Sequence, residues 1–129
     1  MKLSAELTAK ILSMADRVDG QPVAPLADTI DEKDFQAAVI KLAKRNGWKV
    51  HYTTNSRRSP DGWPDLILSS SARGKFLVRE LKTEKGKPTS GQLDWLEELQ
   101  ALGIDAGVWR PRDFVEIERM LTEHAKRVQ

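Results

Sequence analysis

The chain has no cysteine and only two histidines among its 129 residues. Disulfides and thiolate metal sites are excluded, and a zinc site would need carboxylates beside His51 and His124. A chain without cysteine is compatible with a reducing cytoplasm, which is the expected location. Long hydrophobic runs are missing as well. Nothing approaches the ~20 apolar residues that span a bilayer, and the stretch from Met1 to Val18 is interrupted by Glu6, Lys10 and Asp16. Neither a membrane span nor a secretory signal is expected. Internal repeats and low-complexity segments are also lacking.

What is present fits one compact, globular domain: apolar residues make up 40% and charged residues 31%, a balance that supports a buried core under a solvated surface. The net charge of +2 is unevenly spread. Residues 1–32 carry −3, residues 33–91 carry +8 and residues 92–129 carry −3. A basic middle segment is what a polyanion would dock against, because phosphate contacts supply most sequence-independent affinity for nucleic acid.

Periodicity divides the chain. Leu3, Leu7, Ile11, Met14 and Val18 predict an amphipathic helix ending near Gly20, and the proline-bearing stretch to Leu26 reads as a connector. Residues 1–30 are therefore expected to form an appendage to a domain over 31–129. A second helix is expected from about Asp31, with Thr29-Ile-Asp-Glu32 at capping-box spacing, Phe35, Ala38, Val39 and Leu42 as its apolar face, and Gly47 as its stop. Alternation then predicts a strand over Trp48–Tyr52, a second over Trp63–Leu68, and a third over Lys75–Lys82 that places Phe76, Val78, Glu80 and Lys82 on one side. A flexible basic loop follows, Thr83 to Thr89. Beyond it lie a helix with Leu93, Leu96, Leu99 and Leu102 as its stripe, a strand at Ile104–Val108, and a last helix burying Phe114, Ile117 and Leu121. The core order is αβββαβ, followed by a further helix.

Two of these strands carry acids where a buried strand prefers apolar residues. Asp65 opens one, and Glu80 and Lys82 close the next. Side chains two apart on a strand share a face, so Glu80 and Lys82 look into one space, and normal pairing of the hairpin brings Asp65 to them. Two close carboxylates repel unless a cation sits between them, and all-oxygen donors suit a hard ion, Mg2+ or Mn2+. Lys82 beside it could orient or deprotonate an attacking water, or stabilise charge on a phosphorane-like transition state. Pro-Asp followed within about twenty positions by acid-x-Lys arises by chance in roughly one such chain in twenty. The weight therefore rests on agreement between levels: the acids fall on consecutive strands of one hairpin, after a helix bearing Glu32 and before a basic loop.

These residues resemble the VRR-NUC domain family of the PD-(D/E)XK nuclease superfamily. The matching text is Glu32-Lys-Asp-Phe-Gln36, Gly62-Trp-Pro-Asp-Leu66, Arg79-Glu-Leu-Lys82 and Gln92-Leu-Asp-Trp-Leu96, in family order over residues 31 to 112. The resemblance implies an α/β, restriction-endonuclease-like αβββαβ core with a mixed central sheet flanked by helices. It also implies Asp65, Glu80 and the carbonyl of Leu81 as metal ligands, Lys82 as the catalytic lysine, Glu32 reaching the metal directly or through water, and Gln92 as a helix-borne residue near the site. Stand-alone members are similar to Holliday-junction resolvases, which implies a homodimeric endonuclease cutting branched DNA. A silent nucleic-acid-binding module, or a nuclease acting on RNA or linear DNA ends, remains as the alternative.

Around that constellation, Arg57, Arg58, Lys85 and Lys87 are expected to contact phosphates, with Gly86 letting its loop move onto a substrate. Gln92 could instead cap its own helix. Trp63, Trp95 and Trp109 are assigned to the core in preference to base stacking. His51 and His124 receive no role, and no small-molecule cofactor is expected.

Overall fold

The computed structural model describes residues 29–53 and 61–124. The helix expected over Leu3–Val18, its connector, and Arg57 and Arg58 lie outside the described residues. Helix α1 spans Glu32–Arg45, β1 Lys49–Tyr52, β2 Leu66–Ser70, β3 Lys75–Leu81, α2 Ser90–Ala101 and β4 Asp105–Trp109. A 3-10 turn at Pro111–Asp113 leads into α3, Phe114–Thr122. The order is αβββαβ with a further helix, as the periodicity predicts. The strands form one mixed sheet in the order β1-β2-β3-β4, antiparallel except for β3 and β4, which run parallel. Helix α2 makes the crossover that a parallel pair requires.

Cross-strand register sorts the side chains by face. Leu66, Leu68, Leu77, Leu81 and Trp109 point toward α1 and α3, where they join Phe35, Ala38, Val39, Ala43, Phe114, Ile117 and Leu121 in one apolar core. Trp48, just ahead of β1, is buried there too, and its indole N–H donates to the Leu121 carbonyl at 2.9 Å, which ties β1 to α3. The opposite face carries Ile67, Ser69, Phe76, Val78 and Glu80. Helix α2 packs on β4 there with Leu96 and Leu99 buried. Among the described residues no helix is long and apolar enough to cross a membrane.

Four expectations need correction. The N-cap of α1 is Asp31, whose carboxylate accepts from Asp34 N–H at 2.7 Å, so Glu32 occupies N1 and is no partner in a capping box from Thr29. Strand β2 starts at Leu66 instead of Trp63, because Pro64 has no N–H to give a ladder; Asp65 stands immediately before the strand, with its carbonyl accepting from Thr53 N–H at 2.9 Å. Of the four leucines of α2, Leu93 and Leu102 are exposed, since the helix covers one side strand and its ends overhang. Finally, the loop after Lys82 is pinned: Arg110 Nη1 donates to the carbonyls of Thr83 and Gly86, each at 2.6 Å, and Arg112 pairs with Glu84 at 3.1 Å.

Candidate functional site

The register Leu66↔Arg79 sets Asp65 opposite Glu80 at the end of the hairpin. An Asp65 carboxylate oxygen accepts from Leu81 N–H at 3.1 Å, which fixes that carboxylate against β3. Glu80 is 1% exposed, unusual for a glutamate on a strand. Its Oε2 accepts from Gln92 Nε2 at 2.9 Å and faces Lys82 Nζ at 3.4 Å. Its Oε1 is buried with no hydrogen-bond partner. An orphaned carboxylate oxygen is costly in a protein interior and asks what else it meets.

Burial, foremost, and then the neighbouring Asp65 carboxylate push the Glu80 carboxyl up to about 8; the Lys82 ammonium opposes them. Glu32 is pushed upward as well, by burial first and then by Asp65, again against Lys82. The three acids and the lysine thus feel one another, although Glu32 comes from a helix on the other face of the sheet. Among the described residues no three acids or histidines stand close enough to hold an ion unaided. The donor chemistry nonetheless fits a hard divalent cation: an unpartnered buried carboxylate oxygen beside a second carboxylate, with only oxygen donors at hand.

This crowding predicts how stability depends on pH without metal. An acid whose folded pKa exceeds its unfolded value of 4.5 keeps a proton that the unfolded chain releases, so stability is fully present below about 4.5 and is lost as pH rises toward about 8. The upward shift of Glu32 has the same sign. Melting temperature in chelator should fall across that window, and Glu80→Gln should flatten the slope. A melting temperature that climbs between those pH values would contradict the burial of a protonated Glu80.

Gln92 performs both tasks that the sequence set against each other. Thr89 and Gln92 form a capping box at the start of α2: Gln92 N–H donates to Thr89 Oγ1 at 3.1 Å, and Thr89 N–H donates to Gln92 Oε1 at 2.8 Å. The amide nitrogen is then left to donate to Glu80. The orientation follows from the network, because a flipped amide would set two donors against each other at Thr89.

Glu32, Asp65, Glu80, Lys82 and Gln92 are therefore gathered by the fold. Lys85 and Lys87 are exposed on the loop beside them, and Gly86 of that loop lies against the Lys82 stem. His51 and His124 are exposed. Trp109 is buried, but Trp63 and Trp95 are half-buried and form an edge-to-face pair 4.9 Å apart, the former two residues before Asp65 in the chain and the latter one turn along α2 from Gln92.

Sequence reasoning missed Arg110 and the contact between Gly62 and Gly91. The first holds the loop after Lys82 by its carbonyls, and no spacing rule points from an arginine to carbonyls so far back in the chain. The second brings the turn before Asp65 onto the first turn of α2. A positive-φ glycine in Asp61-Gly62 was legible as a turn, but its packing partner was not.

Comparison with the curated proteins and with the solved structures gives no match. The family model described as the VRR-NUC domain matches residues 21–113, which include every site residue described above. With that match over most of its length, the chain belongs to the VRR-NUC family of the PD-(D/E)XK nuclease superfamily, and its domain is a nuclease domain.

Proposed function

We propose that the protein is a Mg2+- or Mn2+-dependent endonuclease that hydrolyses phosphodiester bonds in branched DNA, with residues 31–129 as its nuclease domain and residues 1–30 as an appendage. The observation that carries the reading is Glu80 Oε1, buried without a partner next to Asp65, in a carboxylate whose other oxygen is already held by Gln92 and Lys82. Asp65, Glu80 and the carbonyl of Leu81 would hold the cation, with Glu32 reaching it directly or through water. When bound, such an ion offsets charge on a phosphoryl oxygen and lowers the pKa of a coordinated water.

The chain's own residues supply the rest. Gln92 fixes the Glu80 carboxylate from above, and the Leu81 N–H fixes Asp65 from the side, so neither acid has to reorganise when substrate arrives. Lys82, only 15% exposed, has a stem confined by Gly86 and an ammonium directed at Glu80; from there it orients the attacking water or stabilises charge on the transition state. Lys85 and Lys87, with Arg57 and Arg58, provide phosphate contacts that place the substrate. A four-way junction needs two cuts related by near two-fold symmetry, which a homodimer supplies.

A panel of four-way junctions, flaps, linear duplexes and single strands, incubated with Mg2+ or Mn2+ and with chelator, tests the reading. Metal-dependent cleavage fastest on the junction is the expected result, together with a rise in melting temperature as metal is added. Binding without cleavage at any metal concentration would leave a silent binding module. Cleavage confined to RNA or to linear ends would replace the substrate and keep the chemistry.

A further inference from the structure

The sheet face that bears Asp65 and Glu80 is covered unevenly. Alternation and register place three rows of side chains on it: Asp65 with Glu80, then His51 with Ile67 and Val78, then Lys49 with Ser69 and Phe76. Helix α2 packs on β4, so Val78 and Glu80 are buried while Ile67 and Ser69 are half-buried and His51 and Lys49 are exposed. Phe76 is 48% exposed, on the same face as the candidate site. Among the described residues an open strip thus runs along β1 and β2 from Asp65 to the far end of the hairpin.

At that far end the strip meets a pocket of about 500 Å3, lined among others by Lys49, Ser69, Ser71 and Arg73. Arg73 is fixed in place: its Nε donates to the Glu123 carbonyl at 2.7 Å, its Nη1 donates to Ser70 Oγ at 3.2 Å, and its guanidinium lies 5.0 Å from the centre of the Trp48 ring. The nearby acid, Glu123, is paired with Lys75 at 3.7 Å. Among the described residues Lys49 forms no ion pair. The balance at this end is cationic, with hydroxyls beside the cations, which is the chemistry that takes a phosphodiester.

From this juxtaposition we infer that the strip is a track for single-stranded nucleic acid leaving the cleavage site, with Phe76 stacking on a base and Lys49 and Arg73 taking a phosphate in the pocket. The inference rests on the nuclease reading and adds to it which part of a branched substrate the protein holds. A duplex keeps its bases inside and would have no use for an exposed aromatic ring opposite Ser69, whereas an unpaired strand presents base faces to it. Four residues of strand separate the Glu80 row from the Phe76 row, about 14 Å, which about four nucleotides cover even at the ~3.4 Å rise of a fully stacked strand, an extended one needing fewer.

Fluorescence anisotropy of the full chain in chelator, using a DNA duplex with or without a single-stranded tail longer than about four nucleotides, tests the track. Wild type should prefer the tailed duplex, and Lys49→Glu combined with Phe76→Ala should lower the ratio of tailed to blunt affinity by about tenfold. A ratio unchanged by the double substitution overturns the inference. So does Phe76→Ala shifting the oligomeric state, or lowering the melting temperature by several degrees, because either means that the face is already covered by protein. Cleavage with added metal separates the two readings: a wild type that cuts but shows no preference for the tail sinks only the track, whereas one that neither binds nor cuts removes the nuclease reading as well.

Discussion

Lys82→Ala is expected to lower single-turnover cleavage by about 10²- to 10⁴-fold while leaving affinity for DNA within about tenfold of wild type. The separation follows from where the lysine stands. Its ammonium is 3.4 Å from Glu80 Oε2 and its stem is packed under the loop that Arg110 pins, so it can serve the reacting phosphate but adds only one cation among many to the docking surface. Lys82→Arg should not rescue the rate, because a planar guanidinium cannot take the place of a compact ammonium in a slot set by Gly86. Asp65→Asn makes the complementary test. The asparagine carbonyl can still accept from Leu81 N–H, and losing the negative charge relieves Glu80, so the metal-free protein should melt at a higher temperature even as cleavage disappears. Cleavage by Lys82→Ala within tenfold of wild type would remove this residue from the chemistry.

That trade between stability and activity also explains which parts of the site could be read from the sequence. Asp65 and Glu80 were visible because each interrupts an apolar run, and a strand that buries an acid does so against its own stability. Lys82 was visible through the two-residue period that carries it to the face of Glu80. Gln92 was visible as a cap, but its second bond to Glu80 was not, since that contact depends on how α2 lies across the sheet. The same dependence hid the exposure of Leu93 and Leu102: the stripe has helical spacing, yet its burial is set by the width of the sheet beneath it. Arg79 belongs with these. It lies within the Arg79-Glu-Leu-Lys82 text but faces away from the site, buried against Trp109 at 4.8 Å and paired with Asp105 at 2.7 Å, so it locks β3 to β4 instead of meeting substrate. Local propensity and periodicity fixed the element types, whereas contacts between distant segments decided what each element does.

Gly62→Ala is expected to be the most disruptive glycine-to-alanine change among the described residues. Gly62 has φ +82, where an L side chain is strained, and a Cβ there would stand 2.3 Å from Gly91 C, 2.5 Å from Gly91 O and 2.6 Å from Gln92 N. These are backbone atoms of the first turn of α2, so no side chain can rotate out of the way. Either the turn before Asp65 or the start of α2 must move, and both carry the site: one bears Asp65, the other bears Gln92 and through it Glu80. Conformational strain and overpacking together amount to about 2–5 kcal/mol, enough to lower the melting temperature by roughly 10 °C or more. Gly47→Ala and Gly74→Ala separate the two contributions. Both glycines have positive φ, +83 and +65, but nothing lies within 4 Å of an added Cβ, so each should cost only the strain of about 1 kcal/mol. Urea unfolding of the three variants, with cleavage measured on the folded fraction, gives the comparison. If Gly62→Ala costs no more than Gly47→Ala and cuts at the wild-type rate, then the Gly62–Gly91 contact does not hold Asp65 and Gln92 in register. If it costs several times more and the folded fraction cuts slowly, the close approach of two backbones is what brings the acid of one strand and the amide of one helix to the same carboxylate.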